Sequence, residues 1–310
     1  MTISVFIDGG VGTTGLEIDQ RLAGRNDLVR IELPEDKRKD AAARREALNA
    51  ADIAILCLPD DAAREAVALI DNNRTRVIDA STAHRTAEGW TYGFHEIEPD
   101  GRDRLAAAMR VSNPGCYPTG FLALIKPLVA AGLVPADWPV TVNAVSGYSG
   151  GGKAMIAEFE SGDTETAWRS YGLNLAHKHV PEMRHHAGLV HPPIFAPSVA
   201  RTLRGMIVEV PLHLAAMPGA PTPAAIRAVL EALYLPSPVV RVMPAETLPG
   251  LTIEHAAGTD RLDLFIFPSP DGSQVRLVAA LDNLGKGAAG AAVQTLNILS
   301  GQDEILGLTL

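Results

Sequence analysis

The chain opens with ISVFID (3–8), an apolar run that leads through the glycine-rich GGVGTTG into the helical stretch TTGLEIDQRLAG. That order of buried strand, glycine turn and helix constrains the fold more than any other feature. A helix that follows a strand and returns the chain to the same sheet leaves the next strand parallel to the first. The unit repeats. Strands at LVRIEL (28–33), DIAILCL (52–58) and RVIDAS (76–81) alternate with helical stretches through EDKRKDAAARREALNAA and DDAAREAVALIDN (60–72). The expected fold is α/β, a doubly wound parallel sheet with helices on both faces.

From about residue 137 the pattern changes to longer alternating runs, PVTVNAVSG, RGMIVEVPLHL, DLFIFPS and QVRLVAALDN, with one clear helix at TPAAIRAVLEAL. This predicts a second, α+β domain with a mixed or antiparallel sheet, and 310 residues suffice for roughly two domains. Pro-rich pieces at 191–197 and 235–249 read as surface loops. The tail NLGKGAAGAAVQTLNILSG (283–301) reads as a helix with a small-residue face.

Charge and cysteine content narrow the function. A formal charge of −9 argues against a nucleic-acid surface. The run Lys37-Arg38-Lys39 with Arg44-Arg45 reads as a solvated helix face. Two cysteines cannot form a disulfide framework, and MTISVFIDGG lacks a signal peptide's basic flank and apolar core. The most apolar stretch, FLALIKPLVAAGLV (121–134), is interrupted by Lys126 and Pro127 and is too short to span a bilayer. A cytoplasmic protein with no membrane segment is expected.

The glycine turn carries G-x-x-G-x-x-G at Gly9, Gly12 and Gly15. Glycines there let backbone N–H groups approach a pyrophosphate at the positive end of a helix, so the turn is a candidate dinucleotide site. Glu32, about 20 residues on, suits the ribose hydroxyl of NAD, whereas Lys37 and Arg38 suit the 2′-phosphate of NADP. The two sets of residues point in opposite directions.

Cys57, inside an apolar strand, reads as a small buried hydrophobe. Cys116 differs, because SNPGCYPTG (112–120) ends a strand in a turn, and CYPTGFLALIKPLVAAG reads as a helix whose first turn tolerates Pro118. A thiol at a helix N-terminus is favoured as thiolate, which makes Cys116 the candidate nucleophile. AHKHVPEMRHH supplies imidazoles: His177 and His179, two apart, share one face if extended, and Glu182 can orient one of them. Zinc binding by this cluster is a rival reading without the H-E-x-x-H spacing. His185 and His186 read as surface or structural residues in a helix.

After the strand TVNAVS, GYSGGGKA (147–154) matches G-x-x-x-x-G-K but carries Ala154 where a Walker loop has the hydroxyl that binds Mg²⁺. Ser149 and the following glycines read as a seat for a substrate phosphate or as a flexible turn. A nicotinamide site, a cysteine, a histidine and a phosphate seat together suggest reduction of an acyl phosphate through a thioester.

SNPGCYPTG, GGVGTTG, SGYSGGGK, HKHVPEM, the W-x-Y-G-x-x-E of Trp90 to Glu96 and the terminal DNLGKGAAGAAVQ resemble the N-acetyl-γ-glutamyl-phosphate reductase family of arginine biosynthesis, in its shorter form. The resemblance runs nearly end to end. It implies a Rossmann domain over 1–115 completed by a C-terminal helix at 284–310, an inserted catalytic and oligomerisation domain over 116–283, NADP(H) as cofactor, and a homodimer or homotetramer. It assigns Cys116 as nucleophile with His177 and His179 as acid–base candidates, and places Arg85 near the substrate; Ser149 and Glu182 are further candidates for contact with an acyl-phosphate substrate. Gly9, Gly12, Thr13, Gly15, Lys37, Arg38 and Asn283 go to the cofactor; no metal is expected. Ala83-His84 replaces the family's more frequent Asp-Phe before Arg85. An aspartate-semialdehyde dehydrogenase-like enzyme, a nucleotide-sensing protein without turnover, and an aminoadipyl-phosphate substrate are the alternatives.

Overall fold

The computed structural model describes residues 2–162, 164–244 and 248–310. The chain divides into two compact units, one of residues 1–95, 100–115 and 288–308, the other of 96–99, 116–287 and 309–310.

In the first unit, strands β1 (Ile3–Asp8), β2 (Leu28–Ile31), β3 (Ile53–Leu56), β4 (Arg76–Asp79), β5 (Thr91–Tyr92) and β6 (Arg110–Ser112) form a six-stranded sheet in the order β2-β1-β3-β4-β6-β5. Every pairing is parallel. Successive side chains of a strand face opposite ways, so Val5, Ile53, Ile55 and Ile78 point into one core while Phe6, Ala54, Leu56 and Val77 point into another. The first core is closed by helices α1 (Thr13–Leu22), α4 (Gly101–Ala107) and the C-terminal helix (Gly290–Leu299); the second by α2 (Ala41–Ala50) and α3 (Asp60–Ala68). The sheet is therefore doubly wound, as expected.

Three local expectations change. The helical reading of EDKRKD becomes a 3₁₀ turn, Glu35–Lys37, and α2 starts only where Asp40 caps it by accepting from the Ala43 N–H at 2.8 Å. Arg44 is not part of a solvated face: its guanidinium bonds the buried Asp8 carboxylate at 2.8 Å and 3.1 Å. The C-terminal helix does not run from 284 to 310. It is preceded by a π-helical turn, Gly285–Ala289, and stops at Leu299, after which the chain turns and extends.

The second unit holds a mixed seven-stranded sheet of β7 (Thr141–Gly147), β8 (Trp168–Ser170), β9 (Ile194–Ala200), β10 (Met206–Leu212), β11 (Val240–Val242), β12 (Leu262–Pro268) and β13 (Val275–Leu281), in the order β11-β12-β13-β10-β7-β9-β8. The pairs β7–β9 and β11–β12 are parallel and the others antiparallel. Its helices are α5 (Cys116–Ala130), α6 (Gly152–Glu160), α7 (Val180–Ala187) and α8 (Pro223–Tyr234). Two pieces expected as loops contain strand: β9 begins at Ile194 with Phe195 and Pro197 buried, and β11 lies within 235–249, of which 245–247 fall outside the described residues. β-Branched and aromatic neighbours outweigh the prolines there.

Helix α5 packs on β10, β12 and β13. A Cβ at Gly120 would sit 2.8 Å from Val208 Cγ2, so glycine sets the close approach. Pro127, inside the helix, has no N–H for the Ala123 carbonyl four residues back. The hydroxyl of the buried Tyr234 donates to that carbonyl at 2.9 Å instead. No helix among the described residues is long and apolar enough to cross a membrane.

Candidate active site

The glycine turn is built for close backbone approach. Gly9 has φ +84°, and a Cβ on it would lie 2.3 Å from the Cys57 carbonyl oxygen; one on Gly15 would lie 2.7 Å from Gly10 Cα. Helix α1 therefore starts hard against the ends of β1 and β3. Its N-cap, Gly12, offers no side-chain acceptor, so the first-turn N–H groups at Thr13 and beyond keep their partial positive charge for a ligand.

Around this turn the candidate ribose residues are not equivalent. Glu32 lies just past β2 and is bonded by Arg30 at 2.5 Å. Lys37 and Arg38 stand exposed on the 3₁₀ turn. Cys57 follows β3, and burial, then the Asp79 and Asp8 charges, push its thiol up to about 12. By exposure it is half-buried rather than buried. Arg85 is buried, its guanidinium donating to the Asn113 carbonyl at 3.0 Å and the Ala80 carbonyl at 3.2 Å. His84 beside it stacks on Trp90, centroids 4.0 Å apart, and bonds Asp79 at 2.6 Å.

In the second unit, Cys116 is the first residue of α5, the position its local sequence predicts. Its neighbour Tyr117 donates to the Ser198 carbonyl at 3.0 Å and accepts from the Tyr171 hydroxyl at 2.9 Å. Burial first, then Tyr171 and Cys116, hold the Tyr117 hydroxyl well above its usual value, and burial with Cys116 pushes Tyr171 up to about 12 although its bond to Tyr117 opposes this. Both phenols stay neutral beside a sulfur whose negative charge they would oppose.

The histidines converge on the same phenols. His177 meets Tyr117 edge-on at 6.2 Å and Tyr171 at 5.8 Å; His179 lies 6.0 Å from Tyr117 and 4.8 Å from His177. The pair is folded into the turn ahead of α7, where the His179 N–H donates to His177 Nδ1 at 3.1 Å. That bond leaves the ring proton of His177 on Nε2. Burial, then the Lys178 charge, lowers its pKa to about 4, so the ring is neutral near pH 7. His179 and Glu182 are buried at the start of α7, and His185 and His186 sit in its last turn.

Ser149 is buried in the 3₁₀ turn after β7, and its Oγ accepts from Asn283 Nδ2 at 2.8 Å, while Asn283 Oδ1 accepts from the Gly205 N–H at 3.0 Å. Asn283 thus belongs to the second unit and orders Ser149. The glycines after Ser149 lead into α6, a helix that the sequence left unread.

Sequence reasoning also missed a buried ion pair. Lys286 Nζ donates to Glu96 Oε1 at 2.6 Å, with side chains 1% and 4% exposed. Both lie in motifs that carried the family resemblance, which was the only signal available. Gly287, next in the π-helical turn, is pressed on the cysteine: its Cβ would come within 2.9 Å of Cys116 Cβ.

Residues 116–283 match the family described as semialdehyde dehydrogenase, dimerisation domain, and residues 30–104 match the semialdehyde dehydrogenase NAD binding domain. Proteins named N-acetyl-gamma-glutamyl-phosphate reductase from Brucella ovis and Brucella canis are each 52% identical over 310 residues, covering 97% of this chain and all of theirs. Among solved structures, aspartate semialdehyde dehydrogenase II from Vibrio cholerae, in complex with ASA, superposes with a TM-score of 0.71 at 15% identity over 97% of this chain and 99% of that one. Aspartate semialdehyde dehydrogenase from Francisella tularensis gives 0.69 at 16% identity over 96% and 100%. These last likenesses describe the fold.

Proposed function

The chain belongs to the N-acetyl-gamma-glutamyl-phosphate reductase family, and from that premise we propose that it reduces N-acetyl-γ-glutamyl phosphate to N-acetylglutamate 5-semialdehyde and phosphate, with NADPH and through a thioester on Cys116. The observation that carries this reading is Cys116 at the N-terminus of α5, next to the buried Tyr117, whose hydroxyl bonds the half-buried Tyr171, both phenols lying against His177.

The glycine turn fits a dinucleotide: Gly9 is left-handed, Gly15 allows no Cβ, and the helix start carries no side-chain cap. Gly9, Gly12, Thr13 and Gly15 would hold the pyrophosphate, and Lys37 and Arg38 the 2′-phosphate of NADP, because Glu32 is already bonded to Arg30. When bound, that cofactor supplies the hydride.

Cys116 attacks the acyl carbon, forming the C–S bond as the C–O bond to phosphate breaks; Ser149 and the glycines after it seat the phosphate, and Glu182 takes the rest of the substrate. Once the thioester is reduced, the His177 Nε2–H donates a hydrogen bond to the thiohemiacetal oxyanion, which collapses to the carbonyl as the C–S bond breaks, releasing the semialdehyde and the Cys116 thiolate. Its neutral state suits a group that must hold a proton without carrying charge. The enzyme works as a homodimer or homotetramer, a reading supported by the match of 116–283 to a dimerisation domain, and acts in the reducing cytoplasm, where its two free cysteines stay thiols.

The test is phosphate-dependent oxidation of N-acetylglutamate semialdehyde by NADP⁺. Cys116→Ser should abolish it and leave nucleotide binding intact, whereas full activity in that variant would overturn the cysteine's role. Preference for aspartate semialdehyde as substrate would overturn the specificity.

A further inference from the structure

Between β13 and the π-helical turn, the wholly buried side chain of Asp282 gathers several strands of contact. Its Oδ1 accepts from the Leu284 N–H at 2.7 Å and the Gly285 N–H at 3.2 Å. Its Oδ2 accepts from the Gly258 N–H at 2.6 Å and faces Arg204 Nε at 3.2 Å. Its backbone carbonyl takes the Gly287 N–H at 3.0 Å. A carboxylate held this deep persists only where its lone pairs are filled and its charge matched.

The contacts to Leu284, Gly285 and Gly287 bear on one short turn, and the contact to Gly258 on the loop packed against it. Gly285 is pressed on the loop that Asp282 holds, since a Cβ there would lie 2.1 Å from the Thr259 carbonyl oxygen. That loop is anchored in turn at Asp260, which exchanges hydrogen bonds with Thr309 at 2.6 Å and 2.9 Å. At the other end of the turn, Gly287 has the cysteine on one side and the Asp282 carbonyl on the other; its Cβ would be 2.9 Å from Cys116 Cβ and 3.0 Å from that oxygen. The turn has no slack in either direction. A π-helical turn in such a place is a common companion of functional sites.

We infer that Asp282 is a positioning residue for Cys116: by holding the π-helical turn it seats Gly287 against the cysteine and sets where the sulfur stands at the start of α5. The inference rests on Cys116 being the nucleophile. Asp282 touches no reacting atom in this scheme, and its effect passes through Gly287.

Asp282→Asn and Gly287→Ala test it by two routes, one loosening the turn and one pushing the cysteine. All proteins carry Cys57→Ser, so that iodoacetamide alkylation of the native protein reports Cys116. In both variants the pH profile of alkylation should shift, and kcat should fall about 100-fold, the scale of an ångström's misplacement, with KM and nucleotide affinity within about threefold of wild type. Leu230→Ala, a truncation in the core of α8, serves as a control that destabilises without touching the turn; its alkylation profile should match wild type. If Asp282→Asn does not fold, Gly287→Ala decides alone. Wild-type alkylation and kcat in a folded Asp282→Asn or in Gly287→Ala, or the same alkylation shift in Leu230→Ala, would overturn the inference. Wild-type turnover that survives complete alkylation of Cys116 would instead sink the nucleophile itself, and the positioning role with it.

Discussion

Replacing Lys286 by methionine should be among the most destabilising single changes in the second unit. Lysine and methionine are close in shape, so the perturbation is electrical: it deprives the Glu96 carboxylate, 4% exposed, of an ammonium 2.6 Å away. Removing one partner of a buried pair costs about 3–5 kcal/mol, because the other charge keeps its desolvation penalty. At about 2–4 °C per kcal/mol for a unit of this size, Tm falls by about 6–20 °C. Converting both residues, Glu96→Leu with Lys286→Met, removes the penalty along with the attraction, and the double variant should return to within about 1–2 kcal/mol of wild type. The cycle then yields a coupling energy well above the few tenths expected of independent sites. In the single variant the Glu96 carboxyl is pushed above its unfolded value near 4.3. A raised acid contributes no penalty below that value and a growing one as pH rises through its folded value, so the deficit against wild type should be smallest near pH 4 and largest near pH 7. Urea denaturation of the four proteins at both pH values measures it. A loss under about 1 kcal/mol in Lys286→Met, or a double variant no better than the single, would refute the reasoning.

Gly9→Ala should lower nucleotide affinity by at least about tenfold, since alanine at φ +84° is strained and its methyl would meet the Cys57 carbonyl; fluorescence titration with NADPH reads this, and unchanged affinity would remove the turn from the cofactor site. With His177 held neutral down to about pH 4, kcat should stay flat from pH 8 to about 5. The unfolded chain takes up that proton from about pH 6.5, so the stability tied to the neutral ring is whole above 6.5 and lost as pH falls toward 4. An acid limb in kcat near 6.5 that vanishes in His177→Asn would contradict the neutral assignment. Alanine at both Lys37 and Arg38 should raise KM for NADPH by about tenfold or more and leave KM for NADH nearly unchanged, as expected of contacts to the extra phosphate alone.

What the sequence determined by itself is what local chemistry encodes. A glycine forced by φ, an apolar strand and a helix that begins after a Pro-Gly turn are each legible within a dozen residues, so the doubly wound sheet, the tight glycine turn and Cys116 at a helix start could be read directly. Alternating runs gave away β7, β10, β12 and β13 for the same reason. Pairings across long separations have no local signature. Arg44 looked solvated because nothing near it announces Asp8, 36 residues away. Glu96 and Lys286 stand 190 residues apart, and Asn283 and Ser149 stand 134 apart. For His177 and His179, two apart, the spacing left the backbone open, and a turn ahead of α7 with the packing of Phe195 and the two tyrosines decided it. Burial decides these cases: only in the folded interior does an arginine, a lysine or an imidazole lose water and have to find a partner, and which partner it finds depends on the topology of the sheets.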